Sequence, residues 1–151
     1  MLVACAPPAG DVLDAGGGTA LFAEWLDDPS EPFAELRAAL RQRRLVVLDA
    51  SVGMLRFARP RAPLCLAGDL TLPPFRERRF ALVLSFTSIL GEPFPALRSL
   101  AALLAPGGTL LATFLADDVA AAKAAFPAAA LQPVTGGVEA GQDRAFLLRR
   151  R

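Results

Sequence analysis

Apolar residues in this chain fall into two patterns: short unbroken runs, and stretches where they recur every three or four positions. Unbroken runs suit parallel strands buried on both faces, and the second spacing suits helices with one buried stripe. The runs predict strands at residues 12–15, 45–49, 64–68, 80–86 and 109–115. The spaced stretches predict helices at 19–26, 33–44, 51–58, 95–105 and 117–125. In the second helix Phe33, Leu36 and Leu40 share a face, while Arg37, Arg41 and Arg44 form a solvated basic face. The fourth carries Leu97, Leu100, Ala101 and Leu104 on one side and stops at Pro106-Gly107. Asp117 and Asp118 open the fifth, where the helix dipole favours acids. Residues 131–149 read as two antiparallel strands around Gly136-Gly137, with a later turn at Gly141-Gln142-Asp143 leading into 145–148. Alternating strands and helices predict an α/β fold: a Rossmann-like, doubly wound, mostly parallel sheet with a C-terminal antiparallel strand pair. The length of 151 residues fits one domain, 1–151.

Composition narrows the chemistry. Apolar residues make up 54% of the chain, enough for a sizeable core. The uncharged stretch 99–116 is cut by Pro106-Gly107-Gly108, so it reads as helix, turn and strand rather than a membrane span. The first ten residues hold no basic residue and no long apolar core, unlike a secretory signal. Net charge is +1, which exerts no overall pull on nucleic acid or membrane. Cys5 and Cys65 are isolated, which argues against a metal site and for a reducing, cytoplasmic setting. Histidine is absent, which excludes Ser-His-Asp and Cys-His catalysis.

Candidate chemistry sits at two places. Asp11-Val12-Leu13-Asp14-Ala15 runs into Gly16-Gly17-Gly18-Thr19-Ala20, a strand, a glycine turn and a helix start. Glycines allow a ligand close to the backbone, and a helix start offers unpaired N–H groups. Leu45-Val46-Val47-Leu48-Asp49 ends in a carboxylate that could accept both hydroxyls of a ribose. Together they suggest a nucleoside-containing cofactor at the carboxyl ends of the strands. The competing roles are a helix cap for Asp49 and a turn for Asp69. The same end should hold loops 16–19, 50–54, 69–75, 86–95 and 116–119. Residues 27–44 should lie mainly at the other end.

These motifs resemble class I S-adenosylmethionine-dependent methyltransferases, in a short form without an N-terminal cap, over nearly the whole chain. The resemblance rests on Val12-Leu13-Asp14-Ala15-Gly16-Gly17-Gly18, Leu48-Asp49-Ala50-Ser51-Val52-Gly53-Met54-Leu55, Gly68-Asp69-Leu70-Thr71-Leu72-Pro73-Pro74-Phe75 with Phe80-Ala81-Leu82-Val83, and Leu104-Ala105-Pro106-Gly107-Gly108. It implies S-adenosyl-L-methionine as cofactor, no metal, and methyl transfer to a small-molecule acceptor. It implies that Gly16 and Gly18 face the methionine end, that Asp14 belongs to the cofactor-binding set, and that Asp49, with Ala50 beside it, holds the ribose. Asp69 would take the adenine amino group, Leu70 would pair by its backbone, and Met54 would pack on the ring. Ser85 and Phe86 would sit beside the methyl. Glu92, Asp117 and Asp118 are the carboxylates in the ligand-end loops that could serve as a base.

Four departures stand out. Ala20 replaces the third glycine, where a methyl should be tolerated, and Ala81 replaces an aspartate. Gly16 to Asp49 spans 33 positions, against the usual ~20. Few residues precede Asp11, where family members carry helices that close over the cofactor. The pocket is therefore expected to be open, completed by a second copy or a partner chain, or non-catalytic. Pro73-Pro74-Phe75 fits the turn after the third strand, which gives a nucleic-acid partner no support. The rival readings are a non-catalytic cofactor-binding or scaffold subunit, and an NAD-type protein using Gly16-x-Gly18 for a pyrophosphate.

Overall fold

The computed structural model of the protein describes residues 8–28, 33–134 and 136–151. Cys5 lies outside them. Five parallel strands form the centre: β1 (Asp11–Ala15), β2 (Leu45–Asp49), β3 (Cys65–Ala67), β4 (Phe80–Phe86) and β5 (Leu104–Leu115). Three further strands are β6 (Leu131–Pro133), β7 (Val138–Ala140) and β8 (Asp143–Arg150). The order is β3-β2-β1-β4-β5-β8-β6, with β7 also on β8. This is the expected doubly wound sheet with an antiparallel end. The end is built differently from the expected pair, however. The segments on either side of Gly136-Gly137 do not pair with each other, and both pair antiparallel with β8.

Among the described residues five α-helices cover the sheet: α1 (Leu21–Asp27), α2 (Ala34–Arg41), α3 (Val52–Ala58), α4 (Pro93–Leu103) and α5 (Val119–Ala128). Alternate strand residues face opposite layers. Leu13, Val83, Leu110 and Phe114 pack with Leu97 and Leu100 of α4 and Phe126 of α5. Val12, Leu82, Leu84 and Leu147 pack with Phe22 and Leu26 of α1 and Leu40 of α2. Val47 packs with Ala23 and with Leu55 and Ala58 of α3.

The differences from expectation have local causes. Helix α1 begins two residues late because Ala20 is left-handed, at φ +62°. Helix α2 likewise starts after Phe33, at φ +84°, and ends at Arg41. Its basic face is not wholly solvated: Arg37 is only 4% exposed and its guanidinium stacks on Trp25 at 5.5 Å. Helix α4 starts early at Pro93, a residue suited to a first turn, and gives way to β5 at Leu104. Asp117 and Asp118 sit in a separate 3₁₀ turn before α5. Strand β3 is an edge and is exposed at Leu66, unlike the buried central strands. Among the described residues no helix is long and apolar enough to cross a membrane.

Candidate active site

The chain runs outward through β2 and β3 and returns on the other side of β1 as β4. The loops after β1 and β4 therefore diverge, which opens a crevice at the carboxyl ends of the strands. The crevice is a cleft of about 540 Å³, a volume typical of small-molecule sites. Seven of the nine residues expected to bind the cofactor line it: Gly16, Gly18, Asp49, Ala50, Met54, Asp69 and Leu70. Asp14 and Ser85 do not.

The glycine loop is shaped by close contacts. Gly16 has φ +74°, and its N–H donates to the Leu48 carbonyl at 2.7 Å. A Cβ on Gly16 would sit 2.2 Å from Ser88 Cβ, and one on Gly17 would sit 2.6 Å from Asp14 Oδ2. The bare backbone thus lets the β4 loop approach from above while Asp14 folds beneath. Ala20, in the third glycine position, is costly for its left-handed backbone rather than for its methyl.

Asp49 braces this loop. Its Oδ2 accepts from Gly18 N–H at 2.9 Å and its Oδ1 from Ser51 N–H at 2.8 Å. The cap of α3 is Ser51, whose hydroxyl accepts from Met54 N–H at 3.3 Å, so Asp49 is not the cap. Asp69 does form a turn: its Oδ1 accepts from the Thr71 N–H at 2.7 Å and the Thr71 hydroxyl at 2.9 Å. These bonds hold its pKa below the usual carboxylate value.

Asp14 lies under the floor, 3% exposed. None of the described residues donates a hydrogen bond to its carboxylate. Burial, and secondarily the charge of Asp49, raise its pKa to about 7. Ser85 is fully buried. Its hydroxyl lies 2.7 Å from that of Ser88, which donates to the Ala15 carbonyl at 2.9 Å. Ser88, not Ser85, reaches the cleft. Phe86 lines it and tilts against Phe22 with centroids 6.4 Å apart.

Thr87 completes the wall after β4, and sequence reasoning missed it. It is a β-branched residue at φ +50°, a strained conformation. Its N–H donates to Thr113 Oγ1 at 2.9 Å and its hydroxyl donates to Asp143 Oδ2. A hydroxyl backed by a carboxylate therefore stands at the cleft wall. Of the carboxylates proposed as bases, Glu92 lines the cleft and Asp117 and Asp118 do not. Asp49, Asp69 and Glu92 give the lining three carboxylates and no Arg or Lys.

No curated protein matches the sequence. Solved structures do match in fold. A TehB-like SAM-dependent methyltransferase from Corynebacterium glutamicum aligns at TM-score 0.70 and 19% identity, over 99% of this chain and 85% of that one. A SAM-dependent methyltransferase from Thermotoga maritima, described as a possible histamine N-methyltransferase, aligns at 0.70 and 18%, over 99% and 86%. A ribosomal protein L11 methylase from Lactobacillus delbrueckii subsp. bulgaricus aligns at 0.71 and 16%, over 93% and 69%. A family model described as a methyltransferase domain matches residues 13–112, from the middle of β1 into β5. The chain belongs to this methyltransferase domain family.

Proposed function

We propose that the chain is an S-adenosylmethionine-dependent methyltransferase acting on a small molecule. One observation carries the choice of cofactor: the cleft is lined by three carboxylates and no cation. A pyrophosphate would meet repulsion there, which disfavours an NAD-type ligand. A ligand with a sulfonium and an ammonium would meet attraction. The cleft's size and its bare glycine loop also fit a nucleoside.

In this reading Gly16 and Gly18 let the methionine portion lie against the backbone, with Asp14 below it as the nearest buried carboxyl. Asp49, already fixed by two backbone N–H groups, keeps lone pairs for the ribose hydroxyls. Met54 and Leu70 sandwich the base, with Ala50 beside the ribose, and Asp69 faces the adenine amino group. When bound, the cofactor supplies an electrophilic methyl group on sulfur. The protein's part is to align the acceptor and exclude water. Phe86 and Leu90 supply apolar walls for this, Glu92 is the lining carboxylate available to take an acceptor proton, and the Thr87 hydroxyl oxygen can accept a hydrogen bond from the acceptor. A reducing cytoplasm suits the free Cys65 thiol.

Methyl transfer from labelled S-adenosylmethionine to a panel of small amines, phenols and carboxylic acids tests the reading. Transfer to one class, abolished by Asp49→Ala, is the expected result. Cofactor binding without transfer to any small acceptor would refute the acceptor class. Tight binding of NADH would refute the cofactor.

A further inference from the structure

The opposite end of the sheet carries a second concavity, of about 390 Å³. Its walls are Arg78 ahead of β4, Arg149 and Arg150 at the end of β8, and Arg151, with Pro106-Gly107-Gly108 as the floor. Strand β4 spans seven residues, so roughly 20 Å separates this site from the cofactor cleft. The site is independent of the methyltransferase reading.

Four arginines contribute to the lining. No acidic residue lines the concavity. Among the described residues, none of the four arginines forms an ion pair. The nearby acid Asp11 is already taken by Arg44 at 2.6 Å and Arg79 at 2.9 Å. Glu77 is exposed outside the lining.

The arginines also project from a fixed backbone. Arg78 N–H donates to the Ala102 carbonyl at 2.9 Å, and Arg151 N–H to the Ala130 carbonyl at 2.9 Å. Arg149 is paired in the ladder with Thr109 on one side and Gln132 on the other. The floor is bare peptide. Gly107 stands at φ +74° with open space where a Cβ would be, and a Cβ on Gly108 would sit 2.9 Å from the Phe80 carbonyl oxygen. Guanidinium groups are planar forks that match the oxygens of a phosphoryl group and stay charged at every physiological pH.

We propose that this concavity binds a compact ligand carrying two or three phosphoryl groups. Such a ligand brings roughly three to four negative charges at neutral pH, opposite in sign to the arginine side chains of the lining. The volume holds a small phosphate ester but not a folded partner, and the lining has no aromatic residue on which a base could stack.

The test is calorimetric titration of the intact chain with inorganic tripolyphosphate, at constant ionic strength. One saturable site is expected, weakened about tenfold by Arg78→Ala and more by Arg149→Ala with Arg150→Ala. Arg56→Ala with Arg59→Ala removes the same charge from α3 and its end, and should change affinity less than twofold. Melting curves identify any variant that fails to fold, and Arg149→Gln then decides in its place. Absence of saturable binding overturns the proposal, as does equal weakening by the α3 control. Binding of a long single-stranded oligonucleotide that tripolyphosphate does not displace also overturns it, since the surface would then be a nucleic-acid track.

Discussion

Asp14 concentrates the tension of the site in one carboxyl. Its pKa of about 7 lies above the ordinary 3.8 because burial disfavours the anion and Asp49 repels it. The folded state therefore holds this proton more tightly than the unfolded chain. Stability from this group is full below about pH 4 and is lost as pH rises toward 7. Asp14→Asn should remove that slope and raise the melting temperature at pH 8 while leaving it nearly unchanged at pH 4. A steeper loss of stability in the variant at pH 8 would contradict the assignment. Gly16→Ala should be severe, since the backbone is left-handed and the new methyl would strike Ser88. The expected cost is at least about 2 kcal/mol in denaturant unfolding. At this scale the sequence was most legible where chemistry is local. Glycines after a strand and a carboxylate at the next strand's tip identify Gly16, Gly18 and Asp49 without tertiary knowledge. Thr87, Thr113 and Asp143 were illegible because β8 brings Asp143 beside β5 and β4 only through antiparallel pairing of distant segments. Ser85 was misplaced by a single turn of chain, Ser88 taking its position at the cleft.

Elements were predictable in kind and less so at their ends. Unbroken apolar runs located β1, β2 and β4 within a residue because both faces of those strands are buried. The helix starts at Ala20 and Phe33 were misjudged because left-handed residues of those types carry no sequence signal. The C-terminal strands were misread for a different reason. Two short segments, β6 and β7, share one edge of β8, and Gly137 lies against Phe146 where a Cβ would come within 2.7 Å of the ring. Phe146 is the keystone of that arrangement. It meets Phe126 at 5.4 Å and Phe114 at 6.1 Å between ring centroids, joining β8, α5 and β5. Phe146→Ala should cost about 3–5 kcal/mol by equilibrium unfolding. A loss below about 1 kcal/mol would mean that the aromatic cluster does not anchor the sheet's end.

The molecule as a whole is polarised along its strands. Carboxylates gather at the carboxyl end, where Asp49, Asp69 and Glu92 line the cleft. Arginines gather at the other end, around the concavity of Arg78, Arg149, Arg150 and Arg151. The net charge of +1 conceals this separation, so composition alone shows no pull toward nucleic acid or membrane and nothing of either charged end. Cleft charge has a direct consequence for affinity. A positively charged cofactor should bind more weakly as salt rises, whereas adenosine, without charge, should show little salt dependence. Equal salt dependence for both would remove the electrostatic argument for the cofactor.

The decisive measurement is calorimetric titration of the chain with S-adenosylhomocysteine, in parallel with Asp49→Ala. One site of micromolar affinity in the natural chain, weakened at least tenfold in a folded Asp49→Ala variant, is the predicted result. Failure of the natural chain to bind, or binding unaffected by Asp49→Ala, would contradict the placement of the cofactor in this cleft.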